Sequence, residues 1–130
     1  MTITRSLAVT ATLATVLATP LAMGTAQAKG GSAVTKSGTC AGGNTHYTLK
    51  AKHDNGLIEV EWEVDSNRAG QVWTVRLRDN GALFFSANRT TKAPSGSFTV
   101  HRNTANRAGS DTIRARSVHG AQTCVARVTL

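Results

Sequence analysis

Carboxylates are scarce in this chain. Seven Asp and Glu stand against 15 Lys and Arg in 130 residues, a formal net charge of +8. Such a balance works against cationic partners and favours anionic ones: an envelope polymer, an acidic protein or nucleic acid. Cysteine is limited to Cys40 and Cys124, with no CxxC pair, a spacing that is wrong for a compact metal site. The sequence contains no HExxH, no GxSxG and no phosphate-binding glycine loop, which removes the common signatures of metalloproteases, serine hydrolases and nucleotide-binding enzymes. Ser95-Gly96-Ser97 lacks the strand-to-helix context of a nucleophile elbow. His46, His53, His101 and His119 are scattered; His46 is expected opposite Asp65, a pair without a nearby nucleophile. The expectation is a protein that is not an enzyme and holds no metal and no cofactor.

Long apolar runs are also missing beyond the N-terminus. Met1–Ser6 carries one charge, Arg5, and Leu7–Met23 carries none before the small residues of Ala26-Gln27-Ala28. These are the three parts of a secretory signal. Leu7–Met23 is short for a membrane span and contains Pro20. Residues 1–28 are therefore expected to be cleaved, giving a secreted, extracellular protein with no membrane span. Fourteen cations and seven acids then remain, a net of +7. In an oxidising compartment an even pair of cysteines implies a disulfide, Cys40–Cys124.

No helical period follows residue 28. Apolar residues alternate instead, with Gly and Asn as punctuation. Residues 29–39 are rich in Gly and Ser and read as a flexible lead-in; residues 40–130 read as one domain. The clearest element is a hairpin around Asn55-Gly56, the preferred pair for a type I′ turn. That turn sets Ala51 against Val60, Leu49 against Trp62 and Tyr47 against Val64, and pairs Lys52 with Glu59 and Lys50 with Glu61. The next strand, Trp73–Leu77, is expected beside Ile58–Val64, bringing Arg76 near Glu59 and Glu61. Asp79-Asn80-Gly81-Ala82 is a second turn. Leu83-Phe84-Phe85 breaks alternation, so a bulge, an edge or an exposed Phe85 is expected. A turn at His119-Gly120 sets Ala115 against Cys124 and Ile113 against Ala126. About seven strands and no helix indicate an all-β, two-sheet antiparallel sandwich with Trp62 and Trp73 inside.

Asp111–Ser117 followed by Gln122–Val128 resembles the last two strands of an immunoglobulin-like domain. Ser95–Val100 and Ala108–Asp111 resemble the strand and corner before them. Ile113 and Ala115 stand where that family has its corner tyrosine and penultimate-strand cysteine, so the resemblance implies an immunoglobulin-like β-sandwich and not antigen-type recognition. The whole exported part also looks like small secreted proteins of filamentous actinobacteria, through Leu49–Lys52, Val60–Gly70, Trp73–Val75, Asp79–Gly81, Ser95–Phe98 and Ala108–Ile113. That resemblance implies no site residues. In size, export and fold the chain is similar to enediyne apoproteins, which carry two disulfides.

The functional expectation is a monomeric binding module for an anionic envelope polymer or acidic protein. Its candidate residues are Arg114, Arg116 and Arg127, outward on adjacent strands, with Arg102 and Phe85. Nucleic acid is disfavoured because the aromatics that stack bases are expected inside. Two alternatives remain. One is a small-molecule carrier with a cleft lined by Phe84, Phe85 and Phe98. The other is a hydrolase inhibitor presenting Arg89–Ser95 or Asp65–Gly70.

Overall fold

The computed structural model describes residues 31–130, and the export signal expected over 1–28 lies outside them. Eight strands form two four-stranded antiparallel sheets: β1 (Val34–Thr39), β2 (His46–Asp54), β3 (Leu57–Asp65), β4 (Val72–Asp79), β5 (Ala82–Thr90), β6 (Ser97–Ala105), β7 (Thr112–His119) and β8 (Gln122–Thr129). The first sheet runs β1-β2-β3-β6 and the second β5-β4-β7-β8. Among the described residues no helix forms, and none is long and apolar enough to cross a membrane. In the immunoglobulin arrangement the third strand crosses to the opposite sheet; here β3 stays beside β2.

Period-two alternation builds the core. β3 buries Ile58, Val60, Trp62 and Val64, and β4 buries Trp73, Val75 and Leu77. Two such apolar faces must cover one another, which makes a sandwich rather than a single sheet. The β2–β3 hairpin has the register expected from its turn, from Asp54↔Leu57 through Leu49↔Trp62 to His46↔Asp65. Asn55 and Gly56 both take positive φ, 49° and 79°, as a type I′ turn requires. Asn80-Gly81 repeats that solution between β4 and β5.

Two buried side-chain hydrogen bonds tie the interior across the sheets, one near the centre and one from Thr104 of β6 to Asp79 of β4. Trp62 Nε1 of the first sheet donates to Ser117 Oγ of the second at 2.7 Å, and both residues are fully buried. The Cys40–Cys124 disulfide forms as expected, with the Cα atoms 4.3 Å apart. It clips the turn after β1 to β8, and Ala41 and Thr123 exchange both backbone hydrogen bonds beside it.

Four expectations are corrected. The lead-in becomes strand β1 from Val34 onward, paired with β2 along its whole length. It buries almost no side chain, so backbone pairing, the adjacent disulfide and two exposed side-chain contacts to β2, Ser37–Thr48 and Thr39–His46, hold it, and composition could not reveal it. The strand count is therefore eight. β3 lies beside β6, not β4, because the apolar side of β4 is needed to cover the first sheet. Arg76 thus stands away from the glutamates, and Glu61 has His101 as its neighbour at 3.7 Å. Last, the β7–β8 turn is Gly120-Ala121, with His119 opposite Gln122. Cys124 faces Ser117 and Ala126 faces Ala115, a slip of two residues that preserves which side chains point inward.

Candidate functional site

The outer face of the second sheet carries an arginine cluster that alternation and register together dictate. With Trp73, Val75 and Leu77 inward, Arg76 and Arg78 of β4 point out. With Ile113, Ala115 and Ser117 inward, so do Arg114 and Arg116 of β7. Arg127 of β8 is outward between buried Ala126 and Val128. Antiparallel pairing then sets Arg76 against Arg116 and Arg78 against Arg114, and Arg114 against Arg127. Five guanidinium groups occupy two adjacent rows. Threonines border them: Thr112 and Thr129 share a hydroxyl contact at 3.0 Å, and Thr74 donates to Asn88 at 3.2 Å.

No carboxylate shares this face. Asp54, Glu59, Glu61, Glu63 and Asp65 belong to β2 and β3 of the first sheet. The other two acids, Asp79 and Asp111, are buried. Among the described residues the four ion pairs are Lys50–Glu61, Lys52–Glu59, His101–Glu61 and Arg107–Asp79, and none uses the five arginines. Charge is thus segregated: the first sheet offsets its acids with lysines, while the second presents cations alone. Like charges directly opposite across strands are destabilising. A shallow depression lies among Arg78, Asn80, Gly81, Thr112, Arg114 and Arg127.

The structure divides the candidates read from sequence. Arg114, Arg116 and Arg127 come together as expected. Arg102 and Phe85 meet elsewhere, at the seam between β5 and β6. The Arg102 guanidinium carbon sits 4.4 Å from the Phe85 ring centroid, and that of Arg89 sits 5.3 Å away. These are cation–π distances. Phe85 is half-buried against the core beneath them, which makes it a closure of the sandwich edge and not an open contact. The expected bulge is present: Leu77 faces Phe85 and Arg78 faces Leu83, leaving Phe84 as the extra residue. Both phenylalanines thereby pack against the core, and Phe98 is buried in it. Sequence reading missed Arg76 and Arg78 as members of the face. Their outward direction was legible; the sheet they belong to was not.

Other polar groups are committed to structure. His46 Nδ1 lies 3.4 Å from Thr39 Oγ1, and Asp65 Oδ1 accepts from the Asn67 amide at 3.0 Å. They line an open polar cleft of about 500 Å³ with Asn44, Ser66, Asn67 and Arg68. At the opposite end of β4, Asp79 accepts from Thr104 at 3.1 Å and pairs with Arg107 at 3.3 Å. Its Oδ1 has no hydrogen-bond partner among the described residues. Burial raises its pKa above the ordinary 3.8; the Thr104 bond opposes this, nearby Asp111 reinforces it, and Arg107 opposes it.

The folded state therefore holds this proton more tightly than the unfolded chain. Stability is expected to fall as pH rises from 3.8 through the raised value, and to be flat with respect to this group outside that window. Asp79→Asn is expected to remove that contribution. Thermal midpoints of both proteins across the acid range check this, and parallel curves would contradict it.

Fold and face together define a class: a disulfide-clipped antiparallel β-sandwich with a cationic outer sheet. No family model, curated protein or solved structure matches the chain.

Proposed function

We propose that the protein is a secreted, non-catalytic binding module that engages an anionic envelope polymer or acidic protein through Arg76, Arg78, Arg114, Arg116 and Arg127. The observation that carries this reading is the absence of any carboxylate from a face bearing five arginines in cross-strand register. Clustered like charge raises the energy of the free protein and is offset when an anion arrives. Arginine suits the task because its planar fork meets oxyanions with two parallel hydrogen bonds. Export supports the setting, through the signal pattern at residues 1–28 and the disulfide.

Chromatography on immobilised heparin at physiological salt tests the reading. The oxidised protein is expected to be retained. The triple variant R78Q/R114Q/R127Q is expected to elute below that salt, with a thermal midpoint equal to or above the parent's. The variant K36Q/K50Q/K52Q has the same net charge but alters the first sheet, and is expected to stay bound. Equal loss in both variants would reduce the effect to net charge and contradict the reading.

A further inference from the structure

We propose that the arginine face seats two consecutive phosphates of a linear polyol phosphodiester, each held by one cross-strand arginine pair. The inference rests on the binding reading above and adds the chemistry of the partner. Arg76 and Arg116 form one row; Arg78 and Arg114, extended by Arg127, form the next. Within a row, paired Cα atoms lie about 5 Å apart. The rows are two residues apart along the strands, roughly 7 Å.

Each row thus offers two guanidinium groups to one anion, with Arg78 also donating through Nη1 to the Gly81 carbonyl at 3.3 Å. A phosphodiester presents two unesterified oxygens, one for each member of a pair, while its ester oxygens carry the chain on to the next anion. The interval between rows matches the separation of neighbouring phosphates along a short polyol chain, which would run parallel to β4 and β7.

Bases have nothing to stack on at this face. Trp62 and Trp73 are fully buried, Phe98 is nearly so, and Tyr47, Phe84 and Phe85 pack against the core. Single-stranded nucleic acid depends on such aromatic platforms. This disfavours single-stranded nucleic acid, and the proposed occupant is a phosphodiester polymer without bases. The step is binding alone; no bond is made or broken.

Titration calorimetry of the oxidised protein with a defined oligo(glycerol phosphate) tests this, beside inorganic phosphate, oligodeoxythymidylate and a heparin fragment. Oligo(glycerol phosphate) is expected to bind, with inorganic phosphate at least tenfold weaker and oligodeoxythymidylate weaker than the polyol polymer. Raising monovalent salt from about 50 to about 200 mM is expected to lower the affinity roughly tenfold, as neutralisation of two phosphates implies. R76Q/R116Q and R78Q/R114Q should each weaken binding and flatten the salt dependence by about half. R78K/R114K keeps the charge but loses the fork, and should weaken binding while keeping the salt dependence. Circular dichroism of each variant establishes that the sandwich is intact.

Binding of heparin without binding of oligo(glycerol phosphate) would overturn this inference and leave the broader reading in place. Equal or tighter binding of oligodeoxythymidylate would overturn it as well. Binding of none of these polymers would overturn both.

Discussion

Trp62→Ala is expected to cost about 3–5 kcal/mol, the range for deleting a large buried aromatic. Trp62 is the largest fully buried side chain of the first sheet. It lies 5.4 Å, centroid to centroid, from Tyr47 and donates to Ser117 across the core. Truncation would leave a cavity in a small domain and an unpaired hydroxyl. Ser117→Ala alone is expected to cost about 1–3 kcal/mol, because it strands the Trp62 N–H in a dry interior. Trp62→Phe removes that donor, so adding Ser117→Ala to it should cost less than Ser117→Ala does in the parent. Denaturant unfolding of the three single variants and the double variant checks the cycle. Additive losses would mean that the inter-sheet hydrogen bond contributes nothing.

Opening the Cys40–Cys124 bond is the second large effect. The bridge spans 84 residues of sequence, and loop-closure entropy for a ring of that size amounts to about 4–5 kcal/mol. A domain of roughly a hundred residues loses several degrees of thermal midpoint per kcal/mol, so the double Cys→Ala variant is expected to melt on the order of 20 °C lower. The disulfide also holds β1, which contributes almost no buried side chain. Exchange of the β1 amides should therefore accelerate more than that of the β3 amides when the bond is reduced. A drop of only a few degrees, with β1 still protected, would place the clamp in the Ala41–Thr123 backbone pairing instead.

What the sequence made legible follows from how many independent constraints acted on each element. In the β2–β3 hairpin, turn chemistry, apolar alternation and Lys–Glu pairing all demand one register, and that register is the one formed. The β7–β8 hairpin had alternation and a single glycine. A two-residue slip satisfies alternation equally well, and the choice falls to tertiary contacts such as Ser117 with Trp62 and Gln122 with Thr45. Strand β4 shows the limit from another side. Its pattern states which side chains point inward but not which sheet it joins, and that decision is made by the need to cover β3. The arginine face was half legible for the same reason. Arg114, Arg116 and Arg127 sit on two strands joined by a short turn, whereas Arg76 and Arg78 reach them only through a long-range pairing. Arg102 stands apart from that face because it occupies an inward register position opposite Val60 at a sandwich edge, where a long cation can turn over an aromatic ring.

The charge segregation is a consequence of this layout. Every carboxylate-bearing strand position exposed to solvent lies on one sheet, and the five outward arginines of the other have only hydroxyl, amide and aliphatic neighbours. A molecule selected for solubility alone would intersperse the two signs.

Amide chemical-shift mapping during titration with a soluble polyanion tests the proposed binding face most directly. The largest shifts are expected at Arg76, Arg78, Arg114, Arg116 and Arg127, while Glu59, Glu61 and Glu63 stay unmoved. Shifts centred on Lys50 and Lys52, or spread evenly over both sheets, would contradict a binding role for the second sheet.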